Sequence, residues 1–545
     1  MATFNGTAAD ETIRPGFVTA SVTSTPSGAR PSNAADIING GGGDDVIDSG
    51  GGDDIVFGGT GADDVLLGDG DDRYIMNTSQ GTDSVNGGSG FDTFAIATLD
   101  DGLPSLFVTA VSTGTSLAGV AIVNDIERLE LNGRDGSDYF SISASVADIA
   151  EIAVDYGGPA GGGPDASGDS TMVEGSASAD TLILSLENGL VSVTGLRPSI
   201  TVANWTRQDG ISLFGHGGND VLDATALPAD ALRVTLVGGD GRDTLKPGER
   251  AERLVGDFAS SSQDYVDTVD YRASAGAVAV DLAAGTGLGG SAHGDELFAI
   301  DNLVGSAFAD ILVGGVGANA LSGGAGDDQL YGGEGNDLLR GGGGADRSFG
   351  GMGSDRHVVD DAGDLVFEYE GEGNDVVVAS AGYTLRDGAH VERLLAAAGD
   401  AAIHLTGNEL PNSLFGNDGN NILTGRGGAD RLTGGDGADR FRYASEAEAG
   451  IAGTRDTITD FQGAGMAGGD RIDLGLIDAV AGGADNAFAF IGSAAFTAAG
   501  QIRVAYDAAA DVTIISGNTD GDLAAEFQIA LPGDLRALTG TDFVL

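Results

Sequence analysis

The sequence predicts an all-β protein: a parallel β-roll or β-helix solenoid built on nonapeptide repeats, with a β-rich C-terminal cap. Three observations carry this reading. Residues 40–75 read GGGGDDVID, SGGGDDIVF, GGTGADDVL and LGDGDDRYI, four consecutive units of G-G-x-G-x-D-x-U-x in which U is a large apolar residue. The same pattern returns twice downstream. Between the blocks lie short runs of alternating apolar residues, the period of half-buried strands. A strict nine-residue period with glycine at the turns and aspartate at one phase marks a calcium-binding parallel β-roll.

The first block sets the chemistry of a unit. Its sixth positions are Asp45, Asp54, Asp63 and Asp72, each followed two residues later by Ile47, Val56, Val65 or Tyr74. Asp36 with Ile38 extends the register upstream, and Asp83 with Val85 and Asp92 with Phe94 continue it after a two-residue slip. Glycines at the second and fourth positions (Gly41, Gly43, Gly50, Gly52, Gly59, Gly61) permit positive φ and close backbone approach, so that a tight turn can aim carbonyls inward. The sixth residue adds a carboxylate. Hard oxygen donors in this arrangement suit Ca²⁺, which takes about 6–8 oxygens at roughly 2.3–2.6 Å. The x-U-x triplet forms a short strand with U inward. Two units make one coil, so Asp45 and Asp63 share one edge and Asp36, Asp54 and Asp72 the other. A flexible Gly/Asp linker would have no reason to keep an apolar residue in phase.

Two further blocks are less regular. The second, about 302–358, has sixth positions Asp310, Asn319, Asp328, Asp337, Asp346 and Asp355, with turn glycines Gly324, Gly326, Gly333 and Gly335. The third, about 407–442, has Asn412, Asn421, Asp430 and Asp439. Asparagine keeps an oxygen but loses the charge, and Ser348 and His357 replace the apolar U residue, so weaker or absent metal is expected beside these units. His357 reads as a coil-edge substitution rather than a zinc ligand.

The middle of the chain holds a fainter repeat. Leu131, Gly133, Gly136, Asp138 and Phe140 align with Leu213, Gly215, Gly218, Asp220 and Leu222, and Ala144, Ala147, Asp148, Val154 and Gly157 with Ala226, Ala229, Asp230, Leu236 and Gly239. Upstream, Asp92-Thr93-Phe94 resembles Asp180-Thr181-Leu182. Residues of about 90–170 and 175–255 thus read as a tandem duplication of strand-rich solenoid units. Residues 157–170 form the clearest loop. The organisation expected is a first repeat block over 1–98, duplicated units with a connector over 99–300, and a second block over 301–358. A strand-rich connector over 359–411, a third block over 412–442 and a C-terminal cap over 443–545 complete it.

Composition narrows the function. The chain has 83 Asp+Glu against 26 Lys+Arg, a net charge of −57, and its single lysine is Lys246. Nucleic-acid binding needs a basic surface and is excluded. A metal-free chain of this charge repels itself, so folding should await divalent cations. Cysteine is absent, so no disulfide staples the fold. The N-terminus MATFNGTAAD has neither a basic nor an apolar signal region, and no run of about 18 apolar residues exists, so neither a Sec-type signal peptide nor a membrane span is expected. The histidines His216, His293, His357, His390 and His404 form no H-E-x-x-H, and no serine sits in G-x-S-x-G. Carboxylate pairs abound but belong to turns, so no catalytic residue is assigned; a glycosidase pair needs no local motif.

The three blocks resemble the hemolysin-type calcium-binding repeats of the RTX family, over about a third of the chain. The stretch from DTITDFQGAGMAGGDRIDLGLIDAV to the terminal Asp542-Phe543-Val544-Leu545 is similar to the C-terminal domain of serralysin-type metalloproteases. That resemblance implies a cap on the roll and a tail read by a type I secretion apparatus. It implies calcium ligation by the sixth-position aspartates and turn glycines named above, and a further ion at Asp456, Asp460, Asp470 and Asp473. The family's zinc protease domain has no counterpart in this sequence, so the resemblance does not imply proteolysis. The expected protein is secreted or held at the cell surface, binds several Ca²⁺ ions, and folds when it meets them outside the cell. It is expected to serve as a non-enzymatic surface-layer, matrix or adhesion component of a Gram-negative bacterium, engaging copies of itself or cell-surface polysaccharide. The alternatives are an extracellular enzyme, polysaccharide-acting, with its site on the 100–300 solenoid, or a protease relative without its catalytic domain.

Overall fold

The computed structural model describes residues 1–20, 22–25, 27, 29–77, 81–98, 106–111, 114–117, 121–133, 137–143, 149–157, 168–257, 265–466, 468–480 and 486–545. Most of the loop expected at 157–170, and Gly136, Ala144, Ala147 and Asp148 of the internal repeat, lie outside these residues. The chain divides into two compact units, one of residues 1–274 and 285–300, the other of 275–284 and 301–545. Nearly every described element is a strand, and the only α-helix among them is the four-residue turn Glu446–Ala449.

In the first unit the chain alternates between two parallel ladders. One face stacks Thr3–Asn5, Ile37–Gly42, Ile55–Thr60, Arg73–Asn77, Thr93–Thr98 and Arg128–Asn132. The opposite face stacks Thr12–Arg14, Val46–Asp48, Asp64–Asp69 and Asp83–Ser89. Register brings the inward residues of successive coils into columns: Phe4, Ile38, Val56, Tyr74, Phe94 and Leu129 on one face, Ile13, Ile47, Val65 and Val85 on the other. All of these are buried, so each contributes about 1.5–3 kcal/mol by leaving water. The period-two alternation of a strand explains why the U position alone points inward. Gly59 shows why the turn needs glycine: its φ is +112°, and a Cβ there would lie 2.2 Å from the carbonyl oxygen of Gly41 one coil away.

Two antiparallel excursions interrupt the coiling. Leu106–Val111, Gly114–Leu117 and Ala121–Asn124 form one, Thr181–Glu187, Leu190–Thr194 and Ser199–Ala203 the other. In each, the third strand pairs back to an earlier coil and the first pairs forward to a later one. At the N-terminal end, Phe17–Val18 and Thr23–Thr25 run antiparallel to the first strand of each face.

The second unit repeats the plan. Its inward columns are Leu303, Leu321, Leu339, His357, Val377, Leu394, Leu414, Leu432 and Ile458, opposite Val280, Leu312, Leu330, Ser348 and Val366. A further stack, Tyr383, Leu405, Leu423, Phe441, Ile472 and Phe543, carries the wall to the C-terminus. An antiparallel meander, Gln501–Asp507, Val512–Asn518 and Phe527–Pro532, joins parallel to Asp456–Ile458.

Candidate metal centres along the coil edges

The sixth-position aspartates are buried at the turns, immediately before each inward apolar residue. Each backbone amide donates to Oδ1 of the equivalent carboxylate one coil on. Asp36 donates to Asp54 at 2.6 Å, Asp54 to Asp72 at 2.7 Å and Asp72 to Asp92 at 2.9 Å along one edge. Asp45 donates to Asp63 at 2.9 Å and Asp63 to Asp83 at 3.0 Å along the other. The second block repeats this through Asp310, Asp328 and Asp346 and through Asn319, Asp337 and Asp355. The third runs Asn412 to Asp430 and Asn421 to Asp439.

This use of one oxygen leaves the other. Oδ2 of Asp45, Asp63, Asp72, Asp92, Asp328, Asp337, Asp346, Asp430 and Asp439 is buried and accepts no hydrogen bond. At Asp45, Asp328 and Asp337 it lies over the first glycine of its own unit, where a carbonyl of the next coil also converges. A Cβ built on Gly40 would meet Asp45 Oδ2 at 2.5 Å and Gly58 O at 2.2 Å; on Gly323, Asp328 Oδ2 at 2.1 Å and Gly341 O at 2.7 Å. Two acceptor oxygens facing one point with no donor between them is an arrangement a cation completes. Burial pushes the carboxyls up, to about 6 at Asp63 and Asp72 and about 7 at Asp346 and Asp430, because ionisation without a counter-ion is costly there. The residues therefore fit calcium. It would neutralise the carboxylates and draw adjacent coils together; the protein supplies the spacing, the fixed oxygens and the exclusion of water.

The asparagines bring an amide donor to the ladder: Asn421 turns Nδ2 toward its first glycine, whereas Asn319 and Asn412 turn Oδ1 there, to accept the Gly315 and Asn408 amides, and send Nδ2 to a carbonyl elsewhere. Asn319 Nδ2 donates to Asp301 O at 2.6 Å, Asn412 Nδ2 to Val391 O at 2.8 Å, and Asn421 Nδ2 to Gly419 O at 2.5 Å and Asn417 Oδ1 at 2.9 Å. Two of the aspartates also have both oxygens engaged by the protein. Asp83 Oδ2 accepts from the Tyr74 hydroxyl at 2.6 Å, and Asp310 Oδ2 from the Ser306 amide at 2.5 Å and its hydroxyl at 3.0 Å. Among the C-terminal candidates, Asp456 and Asp470 accept the amides of Asp430 and Asp439 at 2.8 and 2.9 Å. Asp470 Oδ2 also accepts from the Gln462 amide at 2.7 Å, Asp460 accepts from the Gly434 and Gly435 amides, and Asp473 pairs with Arg440 and Arg442, so these three are already engaged.

The ladder extends beyond the nonapeptides. Asp138, Asp169 and Asp209 are joined in the same way, as are Asp180, Asp220, Asp243 and Asp267. Glu127 and Glu392 accept from Asp92 and Asp375. The signal that finds most of these is Asp two residues before a buried apolar residue, as in Asp209 before Ile211; Asp220 also keeps Gly215 and Gly218, and residues 238–246 around Asp243 keep the whole nonapeptide. His357 is fully buried in its U position rather than at a coil edge. Its Nδ1 meets Ser348 Oγ at 2.8 Å and its Nε2 meets Glu368 Oε1 at 2.6 Å. Desolvation holds the imidazole down to about 4, in the neutral form, and pushes Glu368 up to about 8.

Fold and edge together define a parallel coil of calcium-binding nonapeptide repeats. Comparison with known families agrees. Residues 32–65 and 50–75 match the RTX calcium-binding nonapeptide repeat, and residues 299–545 match the peptidase M10 serralysin C-terminal region. The chain thus carries RTX repeats and a serralysin-type C-terminal region. No curated protein matches it. Among solved structures, the solution structure of the AlgE6R3 subunit from the Azotobacter vinelandii mannuronan C5-epimerase is similar at 20% identity, covering 44% of this chain and 79% of that one with a TM-score of 0.15. Among the described residues no helix is long and apolar enough to cross a membrane.

Proposed function

We propose that this is a secreted calcium-binding protein whose coils close when it meets calcium outside the cell, and that it serves as a non-enzymatic surface-layer, matrix or adhesion component. The observation that carries the reading is the file of buried carboxylate oxygens without partners along the coil edges. A chain of net charge −57 cannot bury these groups ionised unless cations accompany them. At intracellular calcium levels the coils stay open; at extracellular levels, ligand occupancy is folding free energy. Circular dichroism of the full chain tests this. In chelator the spectrum is largely disordered, and added Ca²⁺ produces β structure with a midpoint on the order of 10⁻⁴–10⁻³ M, as for extracellular modules. Identical spectra in both conditions overturn the reading.

One observation favours the enzymatic alternative. A cavity of about 300 Å³ on the first unit is lined by Asp223, Lys246, Asp270 and Arg272. Its two cations are each paired with one of its acids, Lys246 with Asp223 at 3.3 Å and Arg272 with Asp270 at 2.5 Å, which suits a neutral, hydroxyl-rich polysaccharide as well as an acidic one. The Arg272 guanidinium beside Asp270 holds that carboxyl below the usual carboxylate range despite its burial, so Asp270 lacks the proton a general acid gives. Incubation with neutral and uronate polysaccharides decides the matter: new ends or changed stereochemistry, abolished in Asp223→Asn, would favour the enzyme.

A further inference from the structure

The coil that ends the second repeat block departs from the repeat at one position. Gly332 and Gly350 occupy equivalent first positions one coil apart. A Cβ on Gly332 would meet Asp337 Oδ2 at 2.3 Å and Gly350 O at 2.5 Å, the carboxylate-and-carbonyl pair of the other units. On Gly350 it would meet Asp355 Oδ2 at 2.3 Å and, at the same 2.3 Å, Glu368 Oε1. Glu368 stands where the next glycine belongs, and its carboxylate takes the place of the neutral carbonyl. Asp375 follows two residues out of phase, its Oδ1 accepting the Asp355 amide at 2.8 Å. One oxygen each from Asp355, Glu368 and Asp375 lies within 4.8 Å of the others, and all three residues are buried.

Nothing in the protein neutralises this cluster. Oδ2 of Asp355 and of Asp375 accepts no hydrogen bond. No arginine or lysine among the described residues forms an ion pair with any of the three; the partner of Glu368 is the uncharged His357. His357 and Ser348 are the two polar interruptions of otherwise apolar inward columns. Both are explained by Glu368. When Glu368 is ionised the proton belongs on Nε2: Nε2–H then donates to Glu368 Oε1 and the Ser348 hydroxyl to Nδ1, while the Gly350 amide donates to the same Oε1 at 2.8 Å. Ligating carboxylates are themselves held by outer-shell hydrogen bonds.

We propose that Asp355, Glu368 and Asp375 hold one calcium ion in a three-carboxylate site, distinct from the carboxylate-and-carbonyl sites of the repeats and tighter than they are, with His357 as the positioning residue of Glu368. The donor set is all oxygen and carries a third negative charge, which raises affinity for a hard divalent cation. The inference rests on the calcium reading above and adds to Asp355, a repeat aspartate, two ligands that the repeat pattern assigns to no metal, Glu368 and Asp375.

Flow dialysis of the full chain with ⁴⁵Ca²⁺ tests it, with free calcium set by chelator buffers. The wild type shows one equivalent that binds about tenfold or more tighter than the rest. Glu368→Gln loses that equivalent while Glu370→Gln, an exposed acid of the same turn, keeps it. Should Glu368→Gln not fold, Glu368→Gly restores the residue of the preceding coils, and the equivalent falls into the weaker class. His357→Gln, whose amide still donates to Glu368, retains tight binding; His357→Leu weakens it about tenfold at unchanged far-ultraviolet dichroism in saturating calcium. Unchanged stoichiometry and tightest dissociation constant in both Glu368 variants overturn the proposal while leaving the repeat sites standing. A wild type that binds no calcium overturns both readings.

Discussion

The amide of Asp54 donates to Oδ1 of Asp72 at 2.7 Å, across one full coil of the first block. The same aspartate offers Oδ2 to the edge, where it finds no partner. One side chain therefore performs two tasks, holding the preceding coil and presenting a charge, and substitutions can separate them.

Asp72→Ala removes both. The Asp54 amide loses its acceptor, which costs about 1–3 kcal/mol for a buried donor, and calcium binding at that turn falls. Asp72→Asn keeps the Oδ1 acceptor and loses the charge. It should leave metal-free stability unchanged or higher and reduce only the calcium-dependent increment. Urea titrations of both variants with and without Ca²⁺ check this; equal loss in the two variants without calcium contradicts the division of labour.

Asn421→Asp should run the other way. The amide of Asn421 already satisfies Gly419 O and Asn417 Oδ1. Replacing it with a carboxylate sets acceptors against acceptors, destabilising the metal-free fold by about 1–3 kcal/mol and adding a calcium-dependent recovery absent from the wild type. Thermal melts across a calcium series read both effects.

The raised carboxyls fix the direction of the pH response. Asp63 and Asp72 lie near 6, and Asp346 and Asp430 near 7, in the folded, metal-free chain, against 3.8 when exposed. Between those limits the folded state binds more protons than the unfolded one. Metal-free stability is therefore fully present below about pH 4 and lost as pH rises through 6 and 7. Calcium must displace the same protons, so its affinity increases over that interval. Dichroism in chelator at pH 4.5 and 7.5, and calcium midpoints at pH 5.5 and 7.5, should show opposite trends.

The C-terminal region should act in export as well as in folding. Deleting 443–545 removes Asp456 and Asp470, the acceptors for the Asp430 and Asp439 amides, and with them the tail that resembles a type I secretion signal. The truncated chain is expected to remain cell-associated, and a passenger fused to 443–545 to appear in the medium of cells carrying a type I system. Immunoblots of the two fractions decide it.

Much of this architecture was legible because the repeat is a spatial period written directly into the chain. Asp45, Asp54, Asp63 and Asp72 share one phase, so their edges and the inward columns of Ile47, Val56, Val65 and Tyr74 followed from the nine-residue step alone. The step also misled. Asp310 keeps it and Asp83 follows it after the two-residue slip, yet Ser306, in the second position of Asp310's own unit, and Tyr74, from the unit before Asp83, supply the donors that elsewhere are missing. Glu127 and Glu392 were invisible for the converse reason: a longer side chain reaches the ladder from outside the phase. His357 read as an edge residue because histidine is seldom a core residue. Its burial makes sense only beside Glu368, eleven residues on and joined to it by the fold.

A ladder in which every coil offers the next its free amides and carbonyls has no intrinsic length. Something must stop a second molecule from adding to the first strand as readily as the chain adds to itself. Phe17–Val18 and Thr23–Thr25 do this at the N-terminal end. Running antiparallel to the first strand of each face, they present the reverse polarity to any parallel newcomer. A chain lacking these few residues would leave both first strands open to a neighbour, and the outcome expected of it is calcium-dependent growth in light scattering that the full chain does not show.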